Sequence, residues 1–206
     1  MITNIIRLLS IKGGVGKSSI AYALARIISA SGYKVLFLDM DNLHTISRVL
    51  GVKDCELTYT RDFFVFACDD FSKISFNSYE YVIIDTYSGI SSETLSAISG
   101  DHVYNIFISD FSSIDNTLNY IKEWNGKKTT NFLVVNMVIR EDNENDILLR
   151  RFFDSLLLKI NVAINKIFLF FFDENYYGSY KVDLNHIELL ASYVLGEMSE
   201  SDLNLG

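Results

Sequence analysis

Ile11-Lys12-Gly13-Gly14-Val15-Gly16-Lys17-Ser18-Ser19 sits between an apolar run and a stretch of helical spacing, and that context makes it the most informative part of the chain. Ahead of it, Ile5-Ile6-Arg7-Leu8-Leu9-Ser10-Ile11 reads as a buried strand; behind it, Ser18 to Ser31 repeats apolar side chains at helical intervals. Gly13, Gly14 and Gly16 let the backbone turn tightly and bring N–H groups close to an anion with no Cβ in the way. The helix that starts behind them adds partial positive charge at the same place. The stretch is expected to cradle phosphate. Lys17 is placed to reach the β- and γ-phosphates, Ser18 to ligate Mg²⁺ and Ser19 to bond a further phosphate oxygen, with Gly13, Gly14, Val15 and Gly16 lining the cradle. The pattern departs from G-x-x-x-x-G-K-[ST]: Ile11 stands where the first glycine belongs, and a second lysine, Lys12, lies inside the loop.

Working outward, Gly32 closes the first helix and Lys34-Val35-Leu36-Phe37-Leu38-Asp39 reads as a second buried strand ending in a carboxylate. Tyr81-Val82-Ile83-Ile84-Asp85 repeats the pattern, followed by a Ser-rich cap and a helix expected from about Ser92 to Ser99. Further strands are expected at Val103 to Ser109, Phe132 to Met137 and Lys166 to Phe172, alternating with helices near Ser113 to Trp124, Asn145 to Leu158 and Leu184 to Met198. Strands that are apolar throughout and alternate with helices indicate a doubly wound α/β fold, a mostly parallel sheet with helices on both faces. Residues 1–206 are expected to form a single P-loop domain. In such folds ligands sit beyond the carboxyl ends of the strands, where the glycine loop, Asp39 and Asp85 all fall. The aromatic segment from Asp54 to Phe76 reads as a short strand and helix packed on the core, or as part of a partner surface.

Three carboxylates and an amide complete the expected site. Asp85 and Asp39 are candidates for holding the waters of a Mg²⁺ ion, and Asp41 for positioning an attacking water near the γ-phosphate. Asn136 offers a donor and an acceptor to an adenine edge, or simply makes a turn. His44, His102 and His186 fall on different elements and assemble no triad or metal site.

Composition narrows the classes. Of 206 residues 49% are hydrophobic and 21% charged, which excludes a disordered chain. The longest apolar run, Ile167 to Phe172, is far too short to span a bilayer. Cys55 and Cys68 have no C-x-x-C pattern and no neighbouring histidine, so a metal site is not expected. With no signal peptide apparent, a cytoplasmic location and reduced thiols are expected, although spacing alone leaves a disulfide open. The net charge of −8 is concentrated late: residues 167–206 carry one lysine against seven acids. Residues 127–166 carry seven basic and five acidic side chains, so Lys127, Lys128, Arg150, Arg151, Lys159 and Lys166 are either a local nucleic-acid contact or solvated charges.

Taken in order, Lys12-Gly13-Gly14-Val15-Gly16-Lys17-Ser18-Ser19, Asp39-Met40-Asp41, Val82-Ile83-Ile84-Asp85-Thr86 and Val135-Asn136-Met137 resemble the ParA/MinD family of deviant Walker ATPases, over the chain to about residue 140. The resemblance implies binding of ATP and Mg²⁺, an ATP-dependent homodimer sandwiching two nucleotides, and slow hydrolysis stimulated by a partner such as a ParB-like protein. It implies that Lys12 is the signature lysine reaching the other subunit's phosphates, that Asp41 positions water and that Asp85 is the Walker B residue. Partition of DNA is the role this implies first. MinD-like membrane positioning calls for a basic amphipathic tail, whereas the helix from Leu184 is acidic, so no membrane contact is expected. A scaffold that binds ATP and dimerises with little hydrolysis is a further reading, kept open by two departures. Asn42-Leu43 stand where the family often has Pro-Gln, and Tyr87-Ser88-Gly89 where it has proline; the chain has no proline at all. Iron–sulfur carriers share the loop, but Cys55 and Cys68 do not fall where their ligands do.

Overall fold

A computed structural model describes residues 2–68, 70–124, 128–138, 156, 164–171 and 184–197. Within them the order is β1 (Asn4–Leu9), α1 (Lys17–Ala30), β2 (Val35–Asp39), α2 (Thr45–Val49), β3 (Thr58–Tyr59), β4 (Phe64–Ala67), β5 (Tyr81–Asp85), β6 (His102–Ser109), α3 (Ile114–Lys122), β7 (Thr130–Val138), β8 (Lys166–Phe171) and α4 (Leu184–Leu195). Short 3₁₀ turns lie at Phe76–Ser78, Thr94–Ala97 and Phe111–Ser113. The eight strands form one sheet in the order β3-β4-β2-β5-β1-β6-β7-β8. Every pairing is parallel except β3 with β4.

The apolar strands explain the layering. In β1, Ile6 and Leu8 face one side and Ile5 and Leu9 the other, and every one is fully buried, so both faces need cover. On the first face α1 contributes Ile20, Leu24 and Ile28, while α4 contributes Ile187, Leu190, Ala191 and Val194. On the second face α3 contributes Leu118 and Ile121. Trp124 seals that side, fully buried against the rings of Phe107 and Tyr120, with the Arg7 guanidinium 5.9 Å from its ring.

Two expectations are corrected. The segment expected as a helix from Ser92 to Ser99 makes only the 3₁₀ turn Thr94–Ala97. Carbonyls that a helix would need are used otherwise: buried Arg7 donates to Leu95 O and Ile98 O at 3.0 and 2.7 Å. The chain must then pass hard against β1, where a Cβ on Gly100 would lie 2.6 Å from Thr3 O. The cysteines, expected as thiols, are joined: Cys55 and Cys68 form a disulfide with Cα atoms 4.7 Å apart. A hairpin return through β3 and β4 brings together two residues that sequence spacing alone leaves unpaired. The aromatic segment divides, with Phe63 and Phe66 in the core and Tyr59 exposed. The helix expected at Asn145 to Leu158 lies outside the described residues save for Leu156, which is helical and buried. No described helix is long and apolar enough to cross a membrane.

Candidate functional site

Parallel pairing places the carboxyl ends of β1, β2 and β5 side by side, with Leu8 opposite Asp85 and Asp85 opposite Asp39. The chain leaving β1 forms the glycine loop. Gly14 and Gly16 take left-handed φ values of 77° and 87°, where a side chain is strained. Gly16 is doubly constrained, because a Cβ there would lie 2.5 Å from Asn136 Nδ2. Asn136, at the end of β7, donates to Val15 O at 2.8 Å, so its amide braces the loop from beneath. Val15 anchors it by burying its side chain in the core. No side chain caps α1, which leaves the first amides of the helix, at Lys17, Ser18 and Ser19, for a ligand.

Lys17 is buried and points inward. Its ammonium donates to Asp85 Oδ1 at 2.7 Å and to the Thr86 carbonyl. Burial pushes the Asp85 carboxyl above its ordinary range, opposed by the Lys17 ammonium and by the neighbouring Ser18 hydroxyl. The other carboxylate oxygen, Asp85 Oδ2, is buried and accepts no hydrogen bond among the described residues. A Mg²⁺ ion with its waters fits this donor set, since Ser18 and that oxygen offer hard oxygen ligands beside the loop.

Asp39 is fully buried and engaged within its own segment. Oδ2 accepts from the Ser47 N–H and hydroxyl at 3.0 and 2.7 Å, and Oδ1 accepts from Asp41 N–H at 3.2 Å. Asp39 therefore ties α2 and the turn carrying Asp41 to the end of β2. Asp41 is half-buried, and its carbonyl accepts from His44 N–H at 2.9 Å; His44 holds a left-handed φ of 45°. On the far side of the loop, Gly89 N–H donates to Ser10 O at 2.7 Å, and the Thr86 hydroxyl donates to Leu8 O at 2.6 Å. These bonds hold the segment after β5 against the strand that enters the loop.

Lys12 goes the other way. Half-exposed on the rim, its ammonium lies 2.7 Å from Asp110 Oδ2 and 3.0 Å from the Ser112 hydroxyl. Burial works against ionisation of Asp110, but hydrogen bonds from Lys12, Ser113 and Ser112 outweigh it and hold the carboxyl well below the usual carboxylate range. Sequence reading missed Asp110, Ser112 and Ser47; only the end of an apolar strand at Ser109 marks where the first two would fall. The structure joins Lys17 to Asp85 and Asn136 to the glycine loop, and ties Asp41 to Asp39, the register neighbour of Asp85. Of the basic candidates, Lys128 is exposed and Lys166 stacks its ammonium 4.8 Å from the Tyr193 ring. Lys127, Arg150, Arg151 and Lys159 lie outside the described residues.

Among solved structures, the fold is similar to a plasmid partition protein from Borrelia burgdorferi B31 bound to AMPPNP, with 20% identity, a TM-score of 0.62 and coverage of 96% of this chain and 100% of that one. It is also similar to the septum site-determining protein MinD complexed with Mg-ADP from Pyrococcus horikoshii OT3, with 21% identity, a TM-score of 0.56 and 82% of each chain covered. A curated relative, the cytosolic Fe-S cluster assembly factor cfd1 of Aspergillus fumigatus, is 43% identical over 60 residues, 29% of this chain; the match spans about a fifth of that protein's length, 19%. Residues 6–203 match the model of the CobQ/CobB/MinD/ParA nucleotide binding domain. With that match over nearly its whole length and the loop geometry described above, the chain belongs to the CobQ/CobB/MinD/ParA nucleotide-binding family.

Proposed function

We propose that this chain is a ParA-like, MgATP-dependent dimerising ATPase, a molecular switch in plasmid or chromosome partition whose slow hydrolysis is stimulated by a ParB-like partner. One observation carries the reading: a single loop sends its two lysines in opposite directions. Lys17 is 7% exposed and pairs with Asp85, which suits it to its own subunit's nucleotide, whereas Lys12 is 50% exposed on the rim beside Asp110, which suits it to meet a second subunit's phosphates. A cation delivered between subunits makes hydrolysis depend on dimerisation. Bound Mg²⁺ would neutralise phosphate charge, with Ser18 and Asp85 as its protein partners. The backbone amides of Gly13 to Ser19 bind the phosphates, Asn136 fixes the loop that carries them, and Asp41 orients the attacking water from a turn that Asp39 holds.

The test is light scattering on gel filtration with AMPPNP or ADP, together with phosphate release. Lys17→Ala is expected to lose nucleotide binding, and Lys12→Ala to keep binding but lose both dimer and turnover. A Lys12→Ala protein that dimerises and hydrolyses as the parent does would refute the reading. Phosphate release unchanged in Asp41→Ala would favour the weakly hydrolysing scaffold instead. A gel shift with ATP at two salt concentrations tests DNA contact, which should weaken as salt rises; no shift at low salt removes the partition role. A MinD-like membrane role is disfavoured because α4 spends Ile187, Leu190, Ala191 and Val194 on the core. An iron–sulfur role is disfavoured because Cys55 and Cys68 flank the β3–β4 hairpin and do not fall where the cluster ligands of such carriers do.

A further inference from the structure

We propose that Cys55 and Cys68 are a reversible thiol-modification site through which a low-molecular-weight disulfide controls the Asp39–Asp41 turn. The pair is not remote from the site. Cys68 follows Ala67, the last residue of β4, and Ala67 is the register partner of Asp39. Cys55 N–H donates to Ala67 O at 2.7 Å, so the bridge closes on a backbone contact already in place.

From Cys55 the chain leads back to the carboxylates. Val52 N–H donates to Ser47 O at 2.9 Å, Ser47 donates twice to Asp39, and Asp39 accepts from Asp41 N–H. α2 carries this connection, and at five residues it has little stability of its own. Ile46 and Val52 pack it on the core, and its ends are set by Asp39 on one side and the Cys55 turn on the other. Opening the bridge leaves the second tie resting on the Cys55 N–H to Ala67 O bond alone, with Cys55 at a left-handed φ of 57° that a non-glycine residue otherwise avoids.

Accessibility sets the order of the chemistry. Cys55 is exposed and Cys68 is 5% exposed. In oxidation, the Cys55 thiolate attacks one sulfur of a disulfide such as oxidised glutathione and expels one glutathione thiolate. The Cys68 thiolate then attacks the Cys55 sulfur of the mixed disulfide and expels the second. Two electrons pass from the protein dithiol to the oxidant, and the two protons end on the two glutathione thiols. Reduction runs the same steps backwards, with an external thiolate entering at Cys55.

The effect on turnover rests on the ATPase reading above; the effect on the turn does not. Hydrogen exchange of the Val52, Ser47 and Asp41 amides is compared between protein held in oxidised glutathione and protein held in dithiothreitol, with intact mass confirming each state. Reduction is expected to speed exchange at these three amides about tenfold while leaving Ile6 in β1 unchanged. Cys55→Ser should exchange like the reduced protein in either buffer. Phosphate release should fall roughly five- to tenfold on reduction, with no redox response in Cys55→Ser. Equal exchange in the two states overturns the proposal, as does a bridge that glutathione and dithiothreitol fail to interconvert. Equal phosphate release in the presence of altered exchange overturns control of turnover. If neither form hydrolyses ATP, the ATPase reading fails and the exchange data alone decide.

Discussion

Asp110→Asn should strengthen nucleotide-dependent dimerisation. In the single subunit, Lys12 is held by its own Asp110 and Ser112, and in the proposed dimer it must leave both to meet the partner's phosphates. Asparagine is the informative substitution, because its carbonyl oxygen can still accept from Ser113 N–H, as Asp110 does at 2.9 Å, and keep the turn before α3 capped. What it removes is the charge. The side chains of Lys12 and Asp110 are 50% and 22% exposed, so solvent screening limits the pair to about 0.5–1 kcal/mol. Two subunits release two such pairs, about 1–2 kcal/mol in all, which corresponds to a roughly 5- to 30-fold tighter dimer. Sedimentation velocity across a concentration series with AMPPNP measures this directly. An unchanged or weaker dimer would refute the idea that this pair opposes dimerisation. The depressed carboxyl also fixes the pH behaviour. The contribution of the pair is complete above the ordinary carboxylate range and is lost only as pH falls below it, so the parent and variant should differ undiminished from neutral pH to about 5.

Other consequences can be measured on the fold itself. Gly16→Ala combines a disfavoured φ with a Cβ 2.5 Å from Asn136 Nδ2, and should cost about 1–3 kcal/mol in urea denaturation; adding Asn136→Ala should recover the steric part only. Ser47→Ala leaves buried Asp39 with one donor fewer and should cost about 1.5–3 kcal/mol, with a loss below 0.5 kcal/mol arguing that water replaces the hydroxyl. Burial raises the phenols of Tyr79, Tyr81, Tyr104 and Tyr120, with Tyr81 pushed up to about 12. A raised phenol keeps the folded state protonated where the unfolded chain ionises, so stability should decline from about pH 10 upward. Urea midpoints at pH 8 and 11 should show that decline, and Tyr81→Phe should reduce it.

The layered sheet was legible because buried parallel strands leave continuous apolar runs, as at Tyr81–Asp85, and because glycines between a strand and a helix admit few backbone paths. Lys17 was expected to reach phosphates from the loop, and its ammonium instead meets Asp85 Oδ1 at 2.7 Å, a partner 68 residues away that the loop motif does not mark. What lay hidden depends on residues distant in sequence. Asp110 meets Lys12 across 98 residues, and nothing near Asp110 marks it as a partner for a lysine. Nearer in sequence, the bonds by which Asp39 holds Ser47 and Asp41 also left no mark, because they follow from where α2 packs. The segment from Ser92 to Ser99 has helix-compatible residues, but Arg7 on β1 claims the carbonyls of Leu95 and Ile98. The disulfide depended on a hairpin whose strand β3 is two residues long, too short to leave a pattern.

The chain has one tryptophan. Trp124 touches Arg7, on the strand that runs into the glycine loop, and Tyr120, whose hydroxyl donates to the carbonyl of Ile90 just past Gly89. Both segments that border the glycine loop thus bear on a single indole sealed from water. The molecule carries its own optical gauge: changes in either segment should alter the emission of one identified side chain, so that loop rearrangement can be followed in real time on unlabelled, unmodified protein.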